Sequence, residues 1–296
     1  EQQSKNTERE RARQRLLAAG QSGDFPQKAW SNRIKVETPH YRIETNAPEM
    51  TAKYVMTLME ELYSFYGQYL GSFPSERMNV FIFARREDFV KHMASIGSQV
   101  PSNTSCHQIF SNDLRKPGGL YMPWTEHLTE ILMRDSFGQF YYNVYKTGRP
   151  TWLYIGMEEY FMKCRFDGET ITDGYIHETH LYGLQQQLKT GKGNRLFDLL
   201  NVSSGWLSGQ QGSEAWAFFY WMLWGQKNQA KQKEMHIRLR KYLAKLDNDK
   251  NHTAAAFEKI TGIKLADVEE EWKKWVLSLN ANDPYGGLGD PYAKKD

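Results

Sequence analysis

The sequence ILMRDSFGQFYYNVYKTGRPTWLYIGMEEYF, residues 131–161, decides the fold, because it predicts two consecutive helices over 127–145 and 151–163. On the first helix, Arg134 and Gly138 stand four residues apart, and side chains with this spacing lie on one face of a helix. Arginine keeps its positive charge in a protein, and glycine has no side chain. That helix face therefore offers no side-chain metal ligand at either position.

This stretch resembles the active-site region of the peptidase MA-like gluzincins, a family of zinc metallopeptidases. Their first helix carries H-E-x-x-H, which is absent here, and their second carries P-x-W-L-x-E-G-x-A-E-Y-F. The segment 150–161 keeps the Trp-Leu pair and the Gly-x-x-Glu-Tyr-Phe spacing of the second pattern. At the family's first His, general-base Glu, second His and ligand Glu, this sequence has Arg134, Asp135, Gly138 and Ile155.

Further matches follow in the family's order over roughly residues 30–280. They comprise two strands, the start of a helix, a late helix and one last helix, at 38–46, 78–83, 86–89, 213–217 and 257–272. The resemblance implies an α+β, gluzincin/thermolysin-like fold, with a small mixed N-terminal sheet packed on the former active-site helix and a mainly α-helical C-terminal half. We expect a loop over 99–119. The alternative is an unrelated α+β protein with chance matches.

The resemblance also implies that the zinc chemistry is lost. Two His at i and i+4 and a later carboxylate hold Zn²⁺ in such peptidases, and the Glu of the motif takes a proton from the metal-bound water. Arg134, Gly138 and Ile155 cannot ligate the ion, and Asp135 retains only a shorter carboxylate. We therefore predict no zinc at these positions and no peptidase activity.

Three carboxylates in this region allow two interpretations. Asp135, Glu158 and Glu159 could form a cluster for acid–base chemistry. We favour an ion-pair network in which one of them pairs with Arg134, because a buried guanidinium without a partner is costly. Ile155 is expected to pack against apolar neighbours.

His177 and His180 lie in the segment HETH, one residue short of the H-E-x-x-H spacing. Histidines three residues apart can share a helix face and hold an adventitious metal ion. The sequence identifies no further ligand, so we favour a surface helix with two histidines. We predict no cofactor.

The composition indicates an ordinary globular protein of 296 residues, with 40% hydrophobic and 25% charged residues. A net charge of +3 is too small to indicate nucleic acid as the main partner. The longest apolar run, 215–224, is about half the ~20 residues that span a bilayer, so we expect a buried helix and no membrane insertion. Trp221 and Trp224 are expected to face a partner. Cys106 and Cys164 could be bridged or free.

The predicted organisation is a charged N-terminal arm over 1–29, a pseudopeptidase domain over 30–279 and a Pro/Gly/Tyr-rich arm over 280–296. Neither arm has an apolar face with helix or strand periodicity. We therefore expect residues 1–27 and 280–296 to dock on other chains. Candidate partner contacts are Tyr285, Leu288 and Tyr292, because aromatic rings bury much area at little entropic cost.

We predict a catalytically inactive protein that acts as a scaffolding or assembly subunit of a larger, hetero-oligomeric protein complex. The alternatives are a pseudopeptidase that binds extended peptides in the old cleft, and an active hydrolase that uses His177 and His180 or Asp135 and Glu159. The sequence starts at Glu1 without an initiator Met, and the resemblance points to exported bacterial proteins. We therefore expect removal of a signal and a periplasm-like, extracytoplasmic location.

Overall fold

The structure is a computed structural model that describes residues 10–18, 28–101, 103–110, 118–146, 148–203, 207–226 and 228–283. Its elements in chain order begin with α1 (10–18), a 3₁₀ turn (Trp30–Asn32), β1 (Ile34–Glu37), β2 (Tyr41–Thr45), α2 (Glu49–Leu70), β3 (Met78–Phe83), α3 (Arg86–Ser95), β4 (His107–Ile109), β5 (Gly119–Pro123) and α4 (Leu128–Tyr145). Then follow α5 (Thr151–Phe161), β6 (Arg165–Phe166), β7 (Ile171–Thr172), α6 (Glu178–Lys189), α7 (Leu196–Leu200), α8 (Gly209–Trp224), α9 (Gln229–Leu243), a 3₁₀ turn (Asp249–Asn251), α10 (Ala254–Thr261) and α11 (Leu265–Ser278). The protein is a mixed α+β chain, as predicted.

The chain forms two compact units. The first comprises residues up to 68, 72–144 and 165–172, and the second comprises 69–71, 145–164 and the chain from 173 onward. Among the described residues, no helix is long and apolar enough to cross a bilayer.

The first unit contains a five-stranded sheet in the order β1-β2-β3-β5-β4. The central pairs β2–β3 and β3–β5 are parallel, while β1 and β4 run antiparallel at the edges. Side chains alternate across a strand, so Phe81 and Phe83 of β3 share one face and pack with Phe89 and Met93 of α3. The small mixed sheet is therefore confirmed.

Helices α2 and α4 belong to the same layered core. The apolar residues of α2 recur at a helical period and are buried: Val55, Leu58, Met59, Leu62 and Tyr66. The Tyr66 hydroxyl donates to the carbonyl of Met133 on α4, and its ring packs edge-on against Phe137 at 5.4 Å between centroids. Gln139 of α4 donates to the backbone carbonyl of Asn79 on β3 at 2.9 Å. This hydrogen bond links α4 to the sheet.

The second unit is mainly helical and is built on α8. Residues 212–223 of this helix are all buried, so it forms the centre of the unit. A capping box between Ser208 and Gln211 satisfies backbone groups at the start of α8. Helix α5 approaches α8 closely, because a Cβ atom on Gly156 would lie 2.6 Å from the Ala215 carbonyl oxygen. This approach fixes the relative position of the two helices.

Several expectations about local structure are wrong. The loop predicted over 99–119 contains β4, and the single last helix over 257–272 is two helices. The break follows α10 at Gly262, whose φ of 69° is left-handed and suits glycine. Trp221 does not face a partner, because it is buried within this chain and only 1% exposed.

The N-terminal arm also differs from the expectation of docking only on other chains. Within the first unit, Arg13 of α1 forms an ion pair with Asp167 at 2.9 Å and donates to the Asp167 carbonyl. The expectation is therefore wrong for 10–18. The C-terminal contacts Tyr285, Leu288 and Tyr292 lie outside the described residues.

Candidate functional site

The positions that match the zinc-peptidase motif on α4 hold an ion pair. Arg134 donates through Nε and a terminal nitrogen to the two carboxylate oxygens of Asp135, both at 3.1 Å. Such two-point pairing between a guanidinium and a carboxylate is geometrically specific. Both side chains are partly buried. The expected pairing of Arg134 with a nearby carboxylate is confirmed for Asp135.

The other two matched positions carry no ligand atom. Gly138 is buried on α4, and Ile155 is half-buried on α5 of the second unit. The Ile155 Cγ2 atom would lie 3.9 Å from a Cβ built on Gly212 of α8, so this side chain packs towards an apolar helix. A guanidinium, a glycine and an isoleucine do not fit the zinc ion that the resemblance implies, and no catalytic step can pass through such an ion here.

The edge strand β4 makes a hydrogen bond to the backbone of the Arg134–Asp135 pair. The Gln108 side-chain amide donates to the backbone carbonyl of Asp135. This contact places β4 beside Arg134 and Asp135 of α4, and the outer edge of β4 is unpaired in the described sheet. An unpaired strand edge presents backbone donors and acceptors that another extended segment can use.

A different set of residues brings ligand atoms together in the second unit. Glu159 from the last turns of α5 meets His177 and His180 at the start of α6. The Glu159 Oε2 atom lies 3.0 Å from His180 Nε2 and 3.4 Å from His177 Nε2. One ligand atom from each residue can be chosen so that all lie within 4.8 Å of one another. We call Glu159, His177 and His180 the histidine–glutamate cluster.

The cluster is shaped by the way α6 begins. His177 is the N-cap of α6, with extended backbone, and its Nδ1 accepts from the His180 backbone N–H at 3.4 Å. The two imidazoles lie 3.9 Å apart between ring centroids, with their planes tilted at 44° to each other. Both turn their Nε2 atoms to the same carboxylate oxygen.

The environment of the cluster is polar and only partly open to water. The exposed fractions of the side chains are 10% for His177, 20% for His180 and 22% for Glu159. Ser213 of α8 lies 2.8 Å from His180 Nδ1, and the Trp216 ring stacks on the His180 imidazole at 6.1 Å. The cluster is thus held from α5, α6 and α8.

The charge state of the cluster follows from burial and hydrogen bonding. Burial raises the pKa of the Glu159 carboxyl, but hydrogen bonds to His177 and His180 outweigh that effect and hold this pKa well below its usual range. Burial lowers the pKa of His177, and the contact with Glu159 only partly offsets this. The carboxylate form of Glu159 is therefore strongly favoured.

The expectation of a surface helix with two histidines is wrong, because His177 is 8% exposed and forms the cap of α6. The sequence did not reveal Glu159 as their common partner. Only the i, i+3 spacing of the histidines hinted at this site, and it carried no information about α5. Cys106 and Cys164 do not form a disulfide, which resolves the question of a bridge between them.

Comparison of the sequence with protein-family models and with curated proteins finds no match.

Proposed function

We propose that this protein is a catalytically inactive, gluzincin-like chain that acts as a scaffolding or assembly subunit of a larger protein complex. The supporting observation is the Arg134–Asp135 ion pair on α4. It neutralises the one acidic group left at the motif and places a cation where the motif needs a neutral imidazole. The positive charge of Arg134 at this position thus opposes metal binding. Binding to other proteins is the function that such a loss leaves available.

The proposed partners are other protein subunits in a hetero-oligomeric assembly, and the proposed location is extracytoplasmic. Large apolar side chains are mostly buried, but single exposed ones remain, with Tyr182 64% exposed and Phe73 53% exposed. Scattered residues of this kind are common on protein surfaces and do not mark one interface. The proposed contact region therefore remains the C-terminal segment with Tyr285, Leu288 and Tyr292.

Deleting residues 284–296 tests this role. We expect the thermal unfolding midpoint to change little, while the chain loses its association with partner subunits in cross-linking and native mass measurements on material from its natural source. A matched control replaces the same residues with a Gly/Ser segment of equal length. A monomeric chain in the native source, or a large loss of monomer stability on deletion, contradicts the scaffolding role.

A second candidate function is the binding of an extended peptide. The observation that favours it is the edge of β4 to which no described strand pairs, beside Arg134 and Asp135 through the Gln108 contact. Extended peptides can add as a strand to such an edge without any metal ion. The test measures the binding of a random peptide library by fluorescence anisotropy and compares the wild-type chain with Gln108→Pro. Proline removes the strand N–H, so equal binding by both chains would argue against strand addition at β4.

The proposal also predicts the absence of peptide hydrolysis. The purified chain, incubated with unstructured protein substrates and excess Zn²⁺, should produce no cleavage above a buffer control. Cleavage that disappears in Asp135→Asn would show that the matched position is catalytic and would overturn the proposal.

A further inference from the structure

The histidine–glutamate cluster has the spacing of a metal site. In a tetrahedral zinc site, bonds of about 2.0–2.1 Å separate neighbouring ligand atoms by about 3.3 Å. The Glu159 Oε2 atom lies 3.0 Å from one Nε2 atom and 3.4 Å from the other. We propose that Glu159, His177 and His180 bind one divalent transition-metal ion of the zinc class. This site is separate from the positions matched to the peptidase motif and does not depend on the proposed scaffolding role.

The hydrogen bonds around His180 give an independent reason for a cation. The Ser213 hydroxyl donates to the Gly209 carbonyl at 3.1 Å, so its single hydrogen is already used. With that hydrogen used, its oxygen can accept from His180 Nδ1–H at 2.8 Å. A neutral His180 in this tautomer directs the lone pair of Nε2 at the Glu159 carboxylate, 3.0 Å away. Two acceptors at this distance are held together by a positive charge between them, which a proton on Nε2 or, in its place, a bound metal ion supplies.

Ser213 therefore acts as a positioning residue for the site. Metal-bound histidines commonly donate their second ring N–H to a fixed acceptor, which sets the tautomer and the ring orientation. Ser213 is 6% exposed, and it lies on the central helix α8, whose start is fixed by a capping box. Its oxygen is consequently held in place before any ion binds.

His177 gives up little when it binds a metal ion. Its Nε2 would use the lone pair, and Nδ1 would then carry the proton and lose its cap contact with the His180 N–H. That contact is 3.4 Å long, beyond the usual 2.7–3.2 Å range, so it is weak.

The ligand types select the class of ion. Two imidazoles and one carboxylate suit Zn²⁺ and the neighbouring transition metals, whereas Ca²⁺ and Mg²⁺ prefer oxygen ligands alone. Three protein ligands and partial exposure leave a fourth position for water. The ion would link α5 to the first turn of α6 within the second unit.

The test uses the whole chain after removal of metal with a chelator. Isothermal titration with Zn²⁺ should give one ion per chain, and Co²⁺ should give visible absorption bands of the intensity that four-coordinate sites show. Mg²⁺ at the same concentrations should give neither signal. Fe²⁺, titrated without oxygen, distinguishes an iron-preferring site from a zinc-preferring one, and either ion supports the proposal.

Variants assign the signal to the cluster. His180→Ala and Glu159→Gln should each weaken zinc binding at least about 100-fold, and Ser213→Ala about 10–100-fold. His236→Ala is the matched control, because its Nε2 contacts the Leu223 carbonyl on the opposite end of α8 and should leave affinity unchanged. Circular dichroism checks that each variant folds. Wild-type chain that binds no ion, or zinc binding that is equal in all variants, means that the cluster is only a hydrogen-bonded triad and overturns the proposal.

Discussion

Two regions of this protein can be compared as candidate metal sites: the Arg134–Asp135 pair on α4 and the histidine–glutamate cluster. They differ in whether possible ligand atoms converge on one point. On α4, Arg134 stands at a motif-like position and pairs with Asp135, so the carboxylate there faces a guanidinium. Around α6, two imidazole nitrogens converge on one carboxylate oxygen, although no motif announces it. The contrast teaches that convergence of lone pairs, and not similarity to a motif, determines whether a site can hold an ion.

The convergence of Glu159, His177 and His180 depends on the close approach of α5 and α8. Gly156→Ala should therefore disrupt it most strongly. A methyl group at 156 would meet the backbone carbonyl oxygen of Ala215 at 2.6 Å, and backbone cannot move aside as a flexible side chain can. We expect a loss of about 2–3 kcal/mol in unfolding free energy, measured by urea denaturation, because overpacking forces the helices apart. Zinc affinity should fall with it, since Glu159 and Ser213 lie on these two helices.

Gly183→Ala is the matched control for that change. Gly183 lies inside α6, and an added Cβ there would meet nothing within 4 Å. Alanine is the better helix former, so this variant should gain roughly 0.5–1 kcal/mol and keep its zinc affinity. If Gly156→Ala behaves in the same way, the approach of α5 to α8 is not a constraint on the site.

Removing the acid from each region compares the two directly. Glu159→Ala should cost about 1–3 kcal/mol in metal-free protein, because it leaves two largely buried imidazoles without their common partner. Asp135→Ala should cost about 0–1 kcal/mol, because Arg134 keeps 31% of its side chain in contact with water. Chemical denaturation followed by tryptophan fluorescence measures both, because Trp216 lies against His180 in the second unit and Trp30 packs on Phe83 in the first. An equal cost would mean that the two groups are equivalent ion pairs.

The large elements could be predicted because periodicity determines them. Strand β3 matches its predicted bounds, and α4 and α5 lie within two residues of theirs. Strand β4 was missed because three residues, half-exposed at a sheet edge, leave too short a pattern to recognise. The break before α11 did have a signal in Gly262, which the comparison with one long family helix obscured.

The histidine–glutamate cluster could not be predicted from local sequence. Glu159 is 18 positions from His177, and tertiary packing alone brings α5 to the start of α6. Helical periodicity suggested that the two histidines share a face, whereas His177 in fact precedes the helix as its cap. The absence of a side-chain metal ligand at positions 134 and 138, in contrast, follows from the identities of Arg134 and Gly138 alone.

The pair His40–Glu60 in the first unit provides a reference in which one histidine, and not two, contacts a carboxylate. His40 Nδ1 lies 2.6 Å from Glu60 Oε2, and Glu60 also accepts from the His40 backbone N–H at 3.0 Å. Burial raises the pKa of Glu60, but hydrogen bonds from Thr38 and His40 outweigh it, so the pKa lies below its usual 4.5. This pair should bind no zinc.

The same pair makes a prediction about pH. A carboxyl with a lowered folded-state pKa stabilises the protein above its unfolded-state pKa, and this contribution is lost as the pH falls through the folded-state value. Glu60→Gln should therefore cost about 1 kcal/mol at pH 7, and the difference from wild type should shrink below pH 4.5. Urea denaturation at several pH values measures it. A difference that stays constant between pH 7 and pH 3 would contradict the assignment.

The smallest expected effect is a difference in reactivity between the two cysteines, one near each region. Cys106 lies one residue before β4 and is partly exposed, whereas Cys164 follows α5 and is 7% exposed. Burial raises the pKa of the Cys164 thiol, so its reactive thiolate is scarce. A thiol reagent should label one cysteine in the folded chain and two in denaturant, with no reductant needed because neither is bridged.

Cys106→Ser should abolish the rapid labelling, and Cys164→Ser should leave it unchanged. Rapid labelling of Cys164 in the folded chain would show that the end of α5 opens readily, and the histidine–glutamate cluster next to it would then lack the rigid support from α5 that its spacing requires.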